Sequence, residues 1–296
     1  MLKEMAALGF EWAELSHGIR ITLVPGILRA VEEGVIKISS CHNFCPLPTG
    51  VTHAAPNLYV PSAKDRRERE QWLRHSKRSV EFAQQVGAKK LVMHLGNLEF
   101  FWFNPVRKLN KFVEAYEGEA LTSDTTYRKL RDEVMVKLRA NKQIFWENMR
   151  AGISELLPYA TNRGVALAFE NREKLEELPL DEDYQQFVAA MPEDKLCGYW
   201  HDTGHAHIKE SLGIIDHREH LAKNAPHAIG FHLHDVSADG HDHQSLGTGK
   251  VDFAMISEFW RPEHTLVLEF SPRLKPEEIA SSKERAEALI RHRFGA

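Results

Sequence analysis

Seven short apolar runs, nearly all carrying at or near their end a side chain that can ionise or bind, constrain this chain more than any other feature. They are WAELS (12–16), VIKISSCH (35–42), AKKLVMH (88–94), VALAFE (165–170), LCGYWHD (196–202), AIGFHLH (228–234) and TLVLEF (265–270). Apolar runs of this length between turn residues read as buried strands. Helix-period patterns lie between them, such as Trp72, Ser76, Val80, Ala83 and Val86 ahead of Gly87, and Ile279 to Ile290 behind Pro276. Strands apolar on both faces that alternate with helices predict a parallel sheet, either doubly wound or closed into a barrel.

The strand ends decide between the two. Glu14 and His17, His42, His94, Glu170, Asp202 and His205, His232 and His234, and Glu269 stand at or just past them. A doubly wound sheet gathers its ligand groups at one switch point, whereas a barrel brings all strand C-termini round one mouth. The expected fold is therefore an α/β TIM (β/α)8-type barrel, a single domain over residues 1–296. The opening LKEMAALGF reads as a helix with no strand before it. Either the first barrel strand is missing from the N-terminus, or an unrecognised element closes the sheet. The stretch from His94 to Val165 is too long for a barrel loop and predicts a helical insertion. Within it, Val134, Leu138, Phe145, Met149, Ile153 and Leu156 suggest one long helix. The aromatic LEFFWFNP, with Phe100, Phe101, Trp102 and Phe103, is a lid, a homo-oligomer contact or plain packing. DRRERE (65–70) reads as a solvated helix start.

Composition narrows the function. The 296 residues, 43% hydrophobic and 27% charged, suffice for one large core. A net charge of −4 and a pI near 6.5 make nucleic acid an unexpected partner. With no apolar run of transmembrane length and no signal peptide pattern, the expectation is a soluble, cytoplasmic protein without a membrane partner. Cys41, Cys45 and Cys197 read as reduced thiols.

Glu170, Asp202, His232 and Glu269 each end a different strand. Three carboxylates and one imidazole make a hard, oxygen-rich site for Mn²⁺, Mg²⁺ or Co²⁺, and also for Zn²⁺. Singly, each has a structural explanation as a buried polar group with a partner. Together they would be costly to bury without a cation.

FENRE (169–173), HDTGHAH (201–207), GFHLHD (230–235), HDHQSLGTGKVDF (241–253) and LVLEF (266–270) resemble the sugar phosphate isomerase/epimerase family, the xylose isomerase-like TIM barrels. CHNFCPLPTG and NLYVPSAKDRRERE extend the resemblance over nearly the whole chain. It implies Glu170, Asp202, His232 and Glu269 as metal ligands, with His232 chosen over His234 because the family's ligand stands three before the acidic residue. It also implies His205 as a contact to a substrate oxygen, as in the ketose epimerases. In the related endonuclease-four type nucleases, His42 and His94 match histidines of a first metal that shares Glu170. His205, His241 and His243 fall where a third metal is held, although an Asp-x-His there is His-x-His here. LGTGK (246–250) is a simple turn or a weak phosphate cradle.

The resemblance implies a metal-dependent isomerase or epimerase in carbohydrate metabolism, taking a sugar, keto-sugar or sugar phosphate. With the substrate carbonyl and neighbouring hydroxyl held by the ion, the carbon-bound proton is acidified and an enediolate forms. Glu170 and Glu269 would move that proton. Arg172, His234 and Glu14 join His205 as candidate substrate contacts, Arg172 also being free to pair with Glu173. A lyase or dehydratase on an oxidised sugar begins with the same step. Cleavage of abasic DNA is the third enzyme reading, and a barrel that binds sugar or metal without turnover is the non-catalytic one.

Overall fold

All seven apolar runs are strands in the computed structural model, which describes residues 1–100, 104–118, 120–192 and 196–295. They are β1 (Trp12–Leu15), β2 (Lys37–His42), β3 (Lys90–Met93), β4 (Ala166–Glu170), β5 (Cys197–Asp202), β6 (Ala228–Leu233) and β7 (Thr265–Leu268). Every pairing is parallel and the spatial order equals the chain order, as repeated crossover connections require. The sheet curls until it is nearly closed. Glu14 on β1 reaches His232 on β6 across the interior at 2.8 Å, while β1 and β7 each have one strand partner.

Helices α1 (Leu2–Ala7), α2 (Val24–Glu32) and α3 (Arg66–Gln85) accompany the first strands. Asp65 starts α3 by accepting the N–H of Arg67 at 2.8 Å, so DRRERE is the exposed first turn, while Trp72, Ser76, Val80 and Ala83 turn inward. The insertion after β3 holds α4 (Val106–Glu114), α5 (Thr125–Asn141) and α6 (Gln143–Thr161). The single long helix expected there is thus two, divided at Lys142. No Gly or Pro marks the junction, and the apolar spacing runs through it, so periodicity carried no break. Phe101, Trp102 and Phe103 lie outside the described residues; Phe100 packs half-buried on the core. The chain continues through α7 (Tyr184–Ala189), α8 (Thr203–Ser211), α9 (His217–Asn224), α10 (Phe253–Ser257) and α11 (Pro276–Phe294), with Pro276 at the first turn of α11.

Period-two alternation divides each strand between an outer core under the helices and the barrel interior. The interior is filled in tiers. Lys90 forms a floor, its ammonium donating to the Ile229 carbonyl at 2.7 Å and to Thr265 Oγ1 at 2.6 Å. Above it Val92, Ala168 and Trp200 pack with Ile229 and Val267. The Trp200 ring occupies the space over Gly230, where a Cβ would lie 2.1 Å from it. The indole in turn meets the His232 ring edge-on at 5.2 Å, so the apolar plug supports the polar tier above it. Among the described residues no helix is long and apolar enough to cross a membrane.

Candidate metal centre

His232 is the hub of the polar tier. Its Nδ1 lies 2.9 Å from Glu170 Oε1, 2.9 Å from Glu269 Oε2 and 3.7 Å from Asp202 Oδ2. These four residues, contributed by β4, β5, β6 and the end of β7, present ligand atoms within 4.8 Å of one another. Asp202 is held by the start of α8, accepting the His205 N–H at 2.8 Å. Asn171 braces the same residue, receiving the Asp202 N–H at 2.7 Å and donating to its carbonyl at 3.0 Å.

Glu170 also belongs to a second group. Its other oxygen, Oε2, faces His94 Nε2 at 2.9 Å and His42 Nε2 at 3.6 Å. Nδ1 of His42 meets the Asn43 carbonyl at 3.1 Å, and that of His94 meets Asn57 Oδ1 at 3.0 Å. Protons on those nitrogens leave both Nε2 lone pairs directed at Glu170. His17 completes the corner, with its ring 4.8 Å from that of His42 and its Nδ1 buried without a partner. Burial, aided by the neighbouring imidazoles, drives the pKa of His17 down to about 3; burial and Arg172 bring His94 to about 4. Both rings are therefore neutral and able to donate lone pairs.

A third group joins Asp202, His205 and His234. His234 and His232 share a face of β6 but are held differently. His234 Nδ1 accepts the His243 N–H at 2.9 Å, so its proton sits on Nε2, which faces the Asp202 carboxylate at 3.0 Å. The geometry makes His234 a brace for Asp202. Gly204 admits it, since a Cβ there would lie 2.1 Å from the imidazole.

Electrostatics suit a cation. Burial opposes ionisation of Glu170, but the Arg172 guanidinium beside it holds its carboxyl well below the usual range. Burial likewise opposes charge on Asp202 and Glu269, yet the histidines around them keep both well below normal. Glu14, Glu170, Asp202 and Glu269 thus crowd around one imidazole, with Arg172 as the adjoining fixed cation. A divalent ion in the Glu170, Asp202, His232 and Glu269 set fits this donor chemistry and balances the charge.

The remaining candidates divide. Arg172 is half-buried and already engaged, 3.0 Å from Glu170 and 3.4 Å from Glu177, with His205 Nδ1 at 3.5 Å. The Glu14 carboxylate is held between Ser40 and His232. His243 stacks on His234 at 4.4 Å, with Glu269 3.8 Å from its Nε2. His241 is not brought to the cluster: its side chain is 77% exposed and pairs with Asp239. Asp242 takes the inner position instead, grouped with Glu173 and His205. The signal was present in HDH, but His243 has a φ of 56°, which turns the loop and breaks the alternation that pairs residues two apart. Besides Asp242, reading the sequence overlooked Asn57, Asn171 and Glu177, ordinary polar residues whose roles are defined only by what they face. The LGTGK loop offers no phosphate cradle. Gly247 and Gly249 both donate their N–H groups to Asp235 Oδ2 at 2.9 Å, and Val251 donates to Oδ1 at 3.1 Å. All three cysteines are free.

A family model described as xylose isomerase-like TIM barrel matches residues 2–281. The chain belongs to that family. Solved structures agree on the fold of this xylose isomerase-like barrel. A D-tagatose 3-epimerase-like protein superposes with a TM-score of 0.68 at 16% identity, covering 97% of this chain and 91% of that one. D-psicose 3-epimerase from Clostridium cellulolyticum H10, with D-tagatose, gives 0.64 at 12% identity over 98% and 92%. A 3-keto-D-glucoside 4-epimerase from E. coli gives 0.61 at 14% identity over 97% and 92%. No curated protein matches the chain.

Proposed function

We propose that this xylose isomerase-like barrel is a divalent-metal-dependent isomerase or epimerase acting on a sugar, keto-sugar or sugar phosphate. One observation carries the reading: carboxylates from opposite parts of the sheet, Glu170 on β4 and Glu269 beyond β7, converge on the same nitrogen of His232. A divalent ion bound there supplies positive charge to the oxyanion that develops when a proton leaves the carbon beside a carbonyl. The chain's own groups do the rest. Glu170 and Glu269 flank the site, and as carboxylates held ionised each can take up a proton, one abstracting and the other returning it. His205, with Nδ1 fixed by the Asn171 carbonyl at 3.0 Å, has Nε2 3.8 Å from Asp242 and would serve as a contact for a substrate oxygen. Arg172 holds Glu170 in place. That the folds named above include epimerases of ketoses and of a keto-glucoside supports this substrate class.

A second reading rests on the His42, His94 and Glu170 group, a complete donor set for another ion sharing Glu170. Several ions side by side suit phosphodiester hydrolysis, as at abasic sites in DNA. Elemental analysis of the unchelated protein separates the two. About one manganese, cobalt, magnesium or zinc per chain, followed by solvent deuterium entering a ketose from a substrate panel, supports the isomerase. Close to three zincs with nicking of abasic DNA replaces it. Release of a second fragment from an oxidised sugar would instead identify a lyase or dehydratase using the same proton abstraction.

A further inference from the structure

Glu14 stood among the substrate contacts because it ends a strand, yet its surroundings assign it other work. The β1–β2 register runs Trp12 to Lys37 and Ala13 to Ile38, then jumps to Glu14 opposite Ser40. Ser39 is the extra residue of this bulge, its hydroxyl donating to the Ala13 carbonyl at 3.2 Å. Bulges re-aim side chains beside functional sites. Here the shift sets Glu14 next to Ser40, whose hydroxyl donates to Oε2 at 2.6 Å, while Oε1 lies 2.8 Å from His232 Nε2. Each carboxylate oxygen has its own donor, and the side chain is 7% exposed, leaving little of it for a sugar.

The far side of the same imidazole carries the consequence. An imidazole that holds a metal ion has given up one proton and keeps one N–H and one lone pair. With the proton on Nε2 and given to Glu14, the lone pair belongs to Nδ1, the nitrogen that faces Glu170, Asp202 and Glu269. We infer that Glu14 is a positioning residue for the metal centre: it sets the tautomer and orientation of His232 and strengthens Nδ1 as a ligand. Carboxylate–imidazole pairs of this kind raise ligand basicity, and their loss costs about 10–100-fold in metal affinity. The inference rests on the reading that the four-residue set binds a divalent ion, and it adds a residue 218 positions away in sequence from the ligand it serves.

Calorimetric titration of the metal-free protein with Mn²⁺ and with Co²⁺, together with the visible absorption of the Co²⁺ form, tests it. Glu14→Gln keeps an acceptor but removes the charge, and should weaken affinity by about 10-fold or more and shift the Co²⁺ bands. Glu14→Ala should weaken it further. Ser40→Ala, which leaves the imidazole contact intact, should cost only a few-fold, by the modest worth of one hydrogen bond. The urea midpoint of metal-free Glu14→Gln should not fall. Wild-type affinity and an unchanged Co²⁺ spectrum in both Glu14 variants would overturn the role of Glu14 alone. A wild-type protein that takes up neither ion would overturn the metal centre, and the role of Glu14 with it.

Discussion

Glu170 and Glu269 stand at the same distance, 2.9 Å, from Nδ1 of His232, although they come from strands three places apart in the sheet. In the proposed reaction they are the acid and base. Glu269→Gln keeps the shape of the site and removes the base. Proton exchange at the reacting carbon should fall by about 10²–10⁴-fold, the usual contribution of such a group, with the fold retained. Deuterium incorporation from heavy water into a turned-over ketose measures it, and exchange at the wild-type rate would remove Glu269 from the mechanism.

His232 and His234 share a face but should differ as metal ligands. His232→Ala deletes a donor at the centre of the set, whereas His234→Ala deletes a brace on Asp202. Loss of the brace should weaken Mn²⁺ binding about 10–100-fold and loss of the donor more than that. Calorimetry ranks them, and the reverse order would move the ligand to His234.

Gly230 leaves the room that Trp200 fills. Gly230→Ala would place a methyl carbon where 2.1 Å separates it from the indole, forcing the ring toward His232. A destabilisation of about 1–3 kcal/mol by urea titration is expected from such overpacking, accompanied by weaker Mn²⁺ binding. Unchanged stability would mean that the plug yields freely.

His220 lies outside the centre, buried against Tyr199, whose hydroxyl is 3.0 Å from its Nε2. Burial is the main cause that lowers its pKa to about 4, well under the 6.5 of an unfolded chain. Between those values the unfolded state binds a proton that the native state refuses. The contribution of a neutral His220 is thus complete above about pH 6.5 and declines as the pH falls toward 4, by about 1.4 kcal/mol per unit. Compared with wild type, His220→Gln should gain about 2 kcal/mol of relative stability between pH 7 and pH 5. A pH-independent difference would mean that the folded protein protonates His220.

The barrel was legible because its signals are local. Apolar runs such as ALAFE and CGYWHD are short, ended by turns and separated by helix-period segments, and each carries its ionisable residue where a parallel strand stops. The divided helix at Lys142 was not legible, since the spacing of buried residues from Leu138 to Phe145 continues across the break. Asp242 escaped because the alternation of HDH singles out the two histidines, whereas the loop brings Asp242 and His243, and not His241, to the cluster. Asp235 and the glycine loop look like separate features in the sequence, yet the carboxylate occupies the very N–H groups that suggested a phosphate site.

The sequence by itself determined where the strands lie and which ionisable groups end them, because the period of two and the apolar burial of a parallel strand are properties of a few consecutive residues. Only the tertiary structure decided what those groups do. Both histidines of HLH point inward from β6, and nothing within the strand distinguishes them. Curling of the sheet does, by setting Glu14 against Nε2 of His232 and the His243 backbone against Nδ1 of His234. A ring proton settles opposite an acceptor and away from a donor, and both kinds of partner arrive from other parts of the chain.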